Sequence, residues 1–188
     1  MQKISRYIFP QDQSVKTIGF IPAHGLNGMP EKYKIFWESQ ASQNGYKIEY
    51  IDFDSTDTER NKQLIRDLKI IFVSGGNTFT LLSNLRKTFL KDPLIEFLNK
   101  PDTIYVGFSA GAILATPTIK ISQDNNTSEL DDLTGLNILD FEIMPHFTQD
   151  EAVLLADYKK TTNNQVITLT DDQALIADSN DRSRYSII

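Results

Sequence analysis

The chain contains no cysteine, which excludes disulfide scaffolds, thiolate zinc sites and cysteine nucleophiles and leaves the redox compartment unspecified. Histidine is nearly as scarce. There are two in 188 residues, His24 and His146, so any imidazole chemistry must come from one of them. No apolar run approaches the roughly 18 residues of a membrane span, and the amino-terminal MQKISRYIFPQDQSVKTIGF has no apolar signal core. No cluster of lysine and arginine stands out, and a net charge of −6 spread along the chain argues against nucleic acid or an anionic membrane as the partner. A cytoplasmic location is the resulting expectation. Repeats, low-complexity segments and linkers are also missing.

What is present fits one globular domain. A length of 188 residues supports a sizeable core but not two comfortable domains, and 40% hydrophobic with 23% charged residues is ordinary for a globular chain. Short β-rich runs alternate with helical stretches. TIGFI (17–21) reads as a strand, and 31–44 as a helix stopped by Gly45. YKIEYIDF then reads as a strand and 59–68 as an amphipathic helix. KIIFV (69–73) is a buried strand, SGGNT a turn, and 79–90 a helix. DPLIEFLNK adds a helical turn opened by Asp92 and Pro93, and TIYVG (103–107) is the next buried strand. Continuous apolar strands separated by helices predict a three-layer α/β/α domain over 1–188 with a mostly parallel sheet. TPTIKIS, QVITLT, ALIAD and YSII predict extra, partly antiparallel edge strands toward the carboxyl terminus. An exposed edge there would permit a homodimer.

Ligands of open α/β sheets bind where strands turn into helices, and two glycine-bearing turns fall there. Gly107-Phe108-Ser109-Ala110-Gly111 is a Gly-x-Ser-x-Gly between a strand and a helix, the setting of a nucleophile elbow. Ser109 could equally cap the helix that begins at Ala110. A serine nucleophile needs a base. His146, in FEIMPHF, and His24, in PAHGLNG, are the candidates, each also readable as an ordinary loop or half-buried residue. The Gly75-Gly76 turn can donate a backbone N–H to an oxyanion, with the Ala110 N–H as the second donor. It could also cradle a phosphate, but P-loop spacing and its lysine are absent.

Taken together, IIFVSGGNTFTLL, VGFSAGAILATPTI and FEIMPHFT, in this order, resemble the serine peptidase family of aspartyl dipeptidase (peptidase E), with cyanophycinase a more distant relative. The likeness runs from IGFIPAHG to about Thr148. It implies a fold similar to class I glutamine amidotransferases, hydrolysis of short peptides through an acyl-enzyme, and no metal or cofactor. It also implies Ser109 as nucleophile, His146 as base, Asp124 as the acid, and Gly75 or Gly76 with Ala110 as the oxyanion donors. Asp131, Asp132, Asp140 and Glu142 are nearby alternatives to Asp124. The dipeptidases hold the substrate's aspartate with an arginine after the histidine, whereas this chain reads FTQDEAVLLADYKK there and has no arginine between His146 and Arg182. Aspartyl specificity is therefore in question, with Lys159 or Lys160 the available substitutes. The chain ends with YSII, which is expected to leave the site more open. Two other readings share these residues: a non-catalytic binding or regulatory protein, in which Ser109 and His146 are out of contact, and an esterase or amidase using the same groups on a non-peptide substrate.

Overall fold

The structure, a computed structural model, describes residues 6–11, 16–178 and 181–188. Four parallel strands, β1 (Thr17–Ile21), β2 (Lys47–Tyr50), β3 (Ile70–Val73) and β4 (Ile104–Gly107), form a sheet in the order β2-β1-β3-β4. The helices between them are α1 (Glu31–Gln43), α2 (Thr58–Asp67), α3 (Thr78–Lys87) and α4 (Lys91–Leu98), and α5 (Ala110–Leu114) follows β4. Alternate strand residues supply two cores. Ile18, Phe20, Ile70 and Phe72 pack with Trp37 and Ala41 of α1 on one face, and Phe20 stacks on its register partner Phe72 at 5.0 Å. Ile21, Ile71 and Val73 pack with Ile65, Leu81, Leu82, Leu85, Leu94 and Phe97 of α2, α3 and α4 on the other. Helices on both faces give the three layers that the alternation predicts.

The strand order carries a functional consequence. From β1 the chain runs outward to β2, and from β2 it crosses back to β3 on the far side of β1. The loops leaving β1 and β3 therefore part toward opposite faces, α1 to one and α3 to the other, and open a crevice at the carboxyl ends of these strands.

After α5 the expectation is partly corrected. TPTIKIS forms no strand: its trace in the sheet structure is an antiparallel bridge between Thr118 and Thr134. Pro117 has no N–H for a ladder, and the Thr116 hydroxyl instead donates to the Ile113 and Thr118 carbonyls at 2.7 Å. QVITLT does form a strand, in a two-stranded parallel sheet. β5 (Phe141–Met144) and β6 (Gln165–Thr168) pair in parallel, and the crossover between them contains a 3₁₀ turn (Gln149–Glu151) and α6 (Ala152–Tyr158). Antiparallel pairing is confined, among the described residues, to β7 (Leu175–Asp178) with β8 (Asp181–Ile187) and the single bridge. Leu175, Ala177 and Tyr185 of this hairpin pack on Phe141, Ile143 and Ile167. No helix among the described residues is long and apolar enough to cross a membrane.

The crossover is fastened by a buried carboxylate. Glu142 on β5 is 0% exposed and accepts hydrogen bonds from the Tyr158 hydroxyl, the Thr162 hydroxyl (2.7 Å) and the Asn164 amide (2.9 Å). Burial, and then the facing carboxylate, holds the Tyr158 phenol above its ordinary range, so the phenol remains the donor. Glu142→Ala would strand three donors at once. Urea denaturation of that variant is expected to show a loss of about 3 kcal/mol. An unchanged midpoint would refute this role.

Candidate active site

The β4–α5 turn has the geometry of an elbow. Ser109 adopts φ 53°, ψ −109°, a conformation that costs a non-glycine residue about 1–3 kcal/mol. The glycines of Gly-x-Ser-x-Gly are there because no side chain fits. A Cβ on Gly107 would lie 2.6 Å from the Gly111 carbonyl, and one on Gly111 would lie 2.4 Å from the Val73 carbonyl oxygen. The Tyr105 hydroxyl, on β4, donates to the Gly111 carbonyl at 2.7 Å and ties the strand to the helix it feeds. Gly111→Ala is expected to lower stability by about 1–3 kcal/mol, read as a fall in Tm of roughly 2–12 °C, because backbone rather than a flexible side chain would have to move.

Ser109 does not cap α5. Its side chain makes no capping hydrogen bond, and its Oγ lies 2.8 Å from His146 Nε2. His146 follows β5 at φ 59°, which swings the imidazole toward the elbow. On the other side of the ring, Nδ1 is 2.5 Å from a carboxylate oxygen of Asp171, which follows β6. That carboxylate fixes the ring proton on Nδ1 and leaves the Nε2 lone pair for the serine hydroxyl. His146 and Asp171 are both open to solvent, with side chains 51% and 81% exposed. Serine and histidine are thus in contact, contrary to what the non-catalytic reading requires.

Asp124 lies elsewhere. Its Oδ2 accepts from the Thr78 N–H (2.7 Å), the Thr78 hydroxyl (2.8 Å) and the Ser122 hydroxyl (2.9 Å). These bonds fasten the carboxylate to the amino-terminal end of α3, where the helix dipole favours an anion. The nearby alternatives are also engaged away from His146. Asp132 pairs with Arg86, Asp140 with Arg182, and Glu142 with the crossover; Asp131 is exposed and makes no contact with the histidine among the described residues.

The glycine turn after β3 divides its two residues between two neighbours. A Cβ on Gly75 would fall 3.1 Å from Ser109 Cβ, whereas one on Gly76, at φ +145°, would fall 3.0 Å from the His24 ring. Gly75 is therefore the glycine beside Ser109, which Ala110 follows in the chain. The Ser74 hydroxyl, which accepts from the Ala23 N–H at 2.9 Å, joins the turn to the end of β1.

The surroundings are aromatic and acidic. Phe108, half exposed, meets Trp37 and His146 edge-on at 6.0 and 6.5 Å between ring centres. In the segment after the histidine, Gln123 and the Thr148 N–H donate to Glu151 at 2.7 Å and hold its carboxyl below the usual range, so an anion stands there at neutral pH. Lys160 is paired with Asp157. Among the described residues no lysine or arginine is bonded to Ser109, His146, Asp171 or Glu151.

The sequence and the fold have known counterparts. Peptidase E of Nostoc sp. is 35% identical over 135 residues, 72% of this chain and 54% of the relative. A probable alpha-aspartyl dipeptidase of Drosophila melanogaster is 33% identical over 139 residues, 74% of this chain and 55% of the relative. The chain thus spans about half the length of the curated relatives it matches. Among solved structures, a protein of Listeria monocytogenes EGD-e provisionally named Peptidase E superposes with a TM-score of 0.80 at 21% identity, over 99% of this chain and 91% of that one. A peptidase from an acI-B1 Actinobacterium gives 0.65 at 18% identity, over 99% and 80%. These likenesses support the fold, with its central parallel sheet, as class I glutamine amidotransferase-like. The pattern of Peptidase family S51 matches residues 1–184, and the chain belongs to that family.

Proposed function

We propose that this chain is a serine peptidase that hydrolyses short peptides through an acyl-enzyme. The observation that carries this reading is the continuous relay from Ser109 Oγ through His146 to Asp171. Ser109 Oγ attacks the scissile carbonyl carbon as His146 Nε2 takes its proton, and the carbonyl oxygen becomes an oxyanion facing the Gly75 and Ala110 N–H groups. Collapse of the intermediate breaks the C–N bond, and His146 delivers the proton to the departing amine. Water then attacks the acyl-serine with His146 again as base, releasing the acid and restoring Ser109. Asp171 takes the orienting role that the sequence resemblance gave to Asp124.

The preferred substrates carry neutral rather than acidic side chains next to the scissile bond. Support comes from Phe108, which precedes Ser109 and offers apolar contact, and from the ionised Glu151, whose charge acts on His146 and would repel a substrate carboxylate. An aspartate bound there would find, among the described residues, no lysine or arginine bonded to Ser109, His146, Asp171 or Glu151 to pair with. A panel of dipeptides, with Asp-Xaa and Glu-Xaa beside neutral and basic amino-terminal residues, tests the reading. Serine-dependent cleavage of neutral members is expected to lead. Cleavage confined to Asp-Xaa would overturn the specificity, and no cleavage of any member would overturn the peptidase.

A further inference from the structure

His24 takes no part in the relay, yet it stands at the crevice between the ends of β1 and β3. Its ring Nε2 accepts a hydrogen bond from the Asn77 backbone N–H at 3.1 Å. An Nε2 that accepts leaves Nδ1 as the ring's donor. Asn77 is the last residue of the glycine turn and the cap of α3, where its own side chain accepts from the Thr80 N–H. Gly76 packs directly on the His24 ring, and Gly75 packs on Ser109. The glycine turn is therefore held between an imidazole on one side and the nucleophile on the other. The backbone under His24 is itself anchored. The Ala23 N–H donates to Ser74 Oγ, the Asn84 amide donates to the Ala23 carbonyl at 3.2 Å, and the Leu26 N–H donates to Asp52 at 2.8 Å.

We infer that His24 is a positioning residue for catalysis, its Nε2 holding the Asn77 amide so that the Gly75 N–H stays aimed at the oxyanion beside Ser109. The inference rests on the serine peptidase reading. Two glycines in succession leave the turn free to rotate, and an oxyanion donor is effective only when it is fixed before charge develops. A loosened donor weakens the transition state more than the bound ground state, so its loss appears in the chemical step rather than in binding.

Reaction of Ser109 with a fluorophosphonate tests this without knowledge of the natural peptide. Serine oxygen attacks phosphorus, fluoride leaves, the proton passes to His146, and the phosphoryl oxygen occupies the oxyanion site. His24→Ala is expected to lower the maximal labelling rate about tenfold with the half-saturating concentration unchanged. His24→Gln, whose amide oxygen reaches the position of Nε2, is expected to restore most of it. His24→Asn, which is one bond too short, is not. Should the alanine variant fail to fold, the glutamine and asparagine pair makes the comparison alone. Equal rates for those two, a rate for the alanine variant within twofold of wild type, or an effect confined to half-saturation would overturn the role of His24 while leaving the relay intact. A wild type that does not label at Ser109, with Ser109→Ala as the control, would overturn the relay and this inference together.

Discussion

Ser109→Ala and His146→Ala are each expected to reduce kcat on a cleaved dipeptide by about 10⁴–10⁶-fold, and the double variant to be no slower than either single one. The two side chains act as a unit across one 2.8 Å hydrogen bond, and once either is gone the other has nothing to do. The residual rate would come from substrate binding and the oxyanion donors, which neither substitution touches. The fold should survive, because alanine retains the Cβ and Ser109 contributes no cap to α5. Ser109→Gly sharpens the test. Glycine adopts φ 53° without strain, so this variant should lose activity like the alanine one and yet gain about 1 kcal/mol of stability. A Ser109→Ala protein that hydrolyses dipeptides within tenfold of wild type would remove the serine from the mechanism.

Most of the first half of the fold was legible in the sequence because each element carries its own signal. β1 and β3 are apolar runs bounded by turn residues, α1 stops two residues before Gly45, and the elbow is announced by glycines whose absent side chains the structure accounts for one by one. The relay was legible at Ser109 and His146, which lie in motifs tied to strand ends. It was not legible at the acid. Asp124 follows the serine at the family's spacing, but spacing cannot tell a carboxylate that anchors a helix from one that orients an imidazole. In the structure the Thr78 donors hold Asp124, and the carboxylate against His146 is Asp171. The signal for Asp171 was present in QVITLTDD. Two aspartates follow a β-rich run there, and in a parallel strand they would fall at the same carboxyl edge as Ser109 and His146. The segment reads as one of several partly antiparallel edge strands with no direction of its own, and its parallel pairing with β5 puts that end beside His146. Parallel pairing over a crossover is a long-range property, here accompanied by the buried Glu142 contacts with Tyr158, Thr162 and Asn164, and no local pattern reports it.

Asp171→Asn separates the two carboxylates by function and is expected to lower kcat about 10³–10⁴-fold. An asparagine facing His146 can offer its amide nitrogen to Nδ1. This stabilises the tautomer with the proton on Nε2, and an imidazole protonated there cannot take the serine's proton. The loss should appear in kcat with little change in KM, since Asp171 touches the histidine and not the substrate site. Asp124→Asn makes the opposite prediction. Its side chain would keep one oxygen for the Thr78 and Ser122 donors and lose only the negative charge at the start of α3. Activity should remain within about threefold of wild type, while stability falls by about 0.5–1 kcal/mol. If Asp124→Asn is instead the variant that loses kcat and Asp171→Asn is nearly silent, the acid role returns to Asp124, and the His146–Asp171 contact becomes a solvent-exposed ion pair of little consequence.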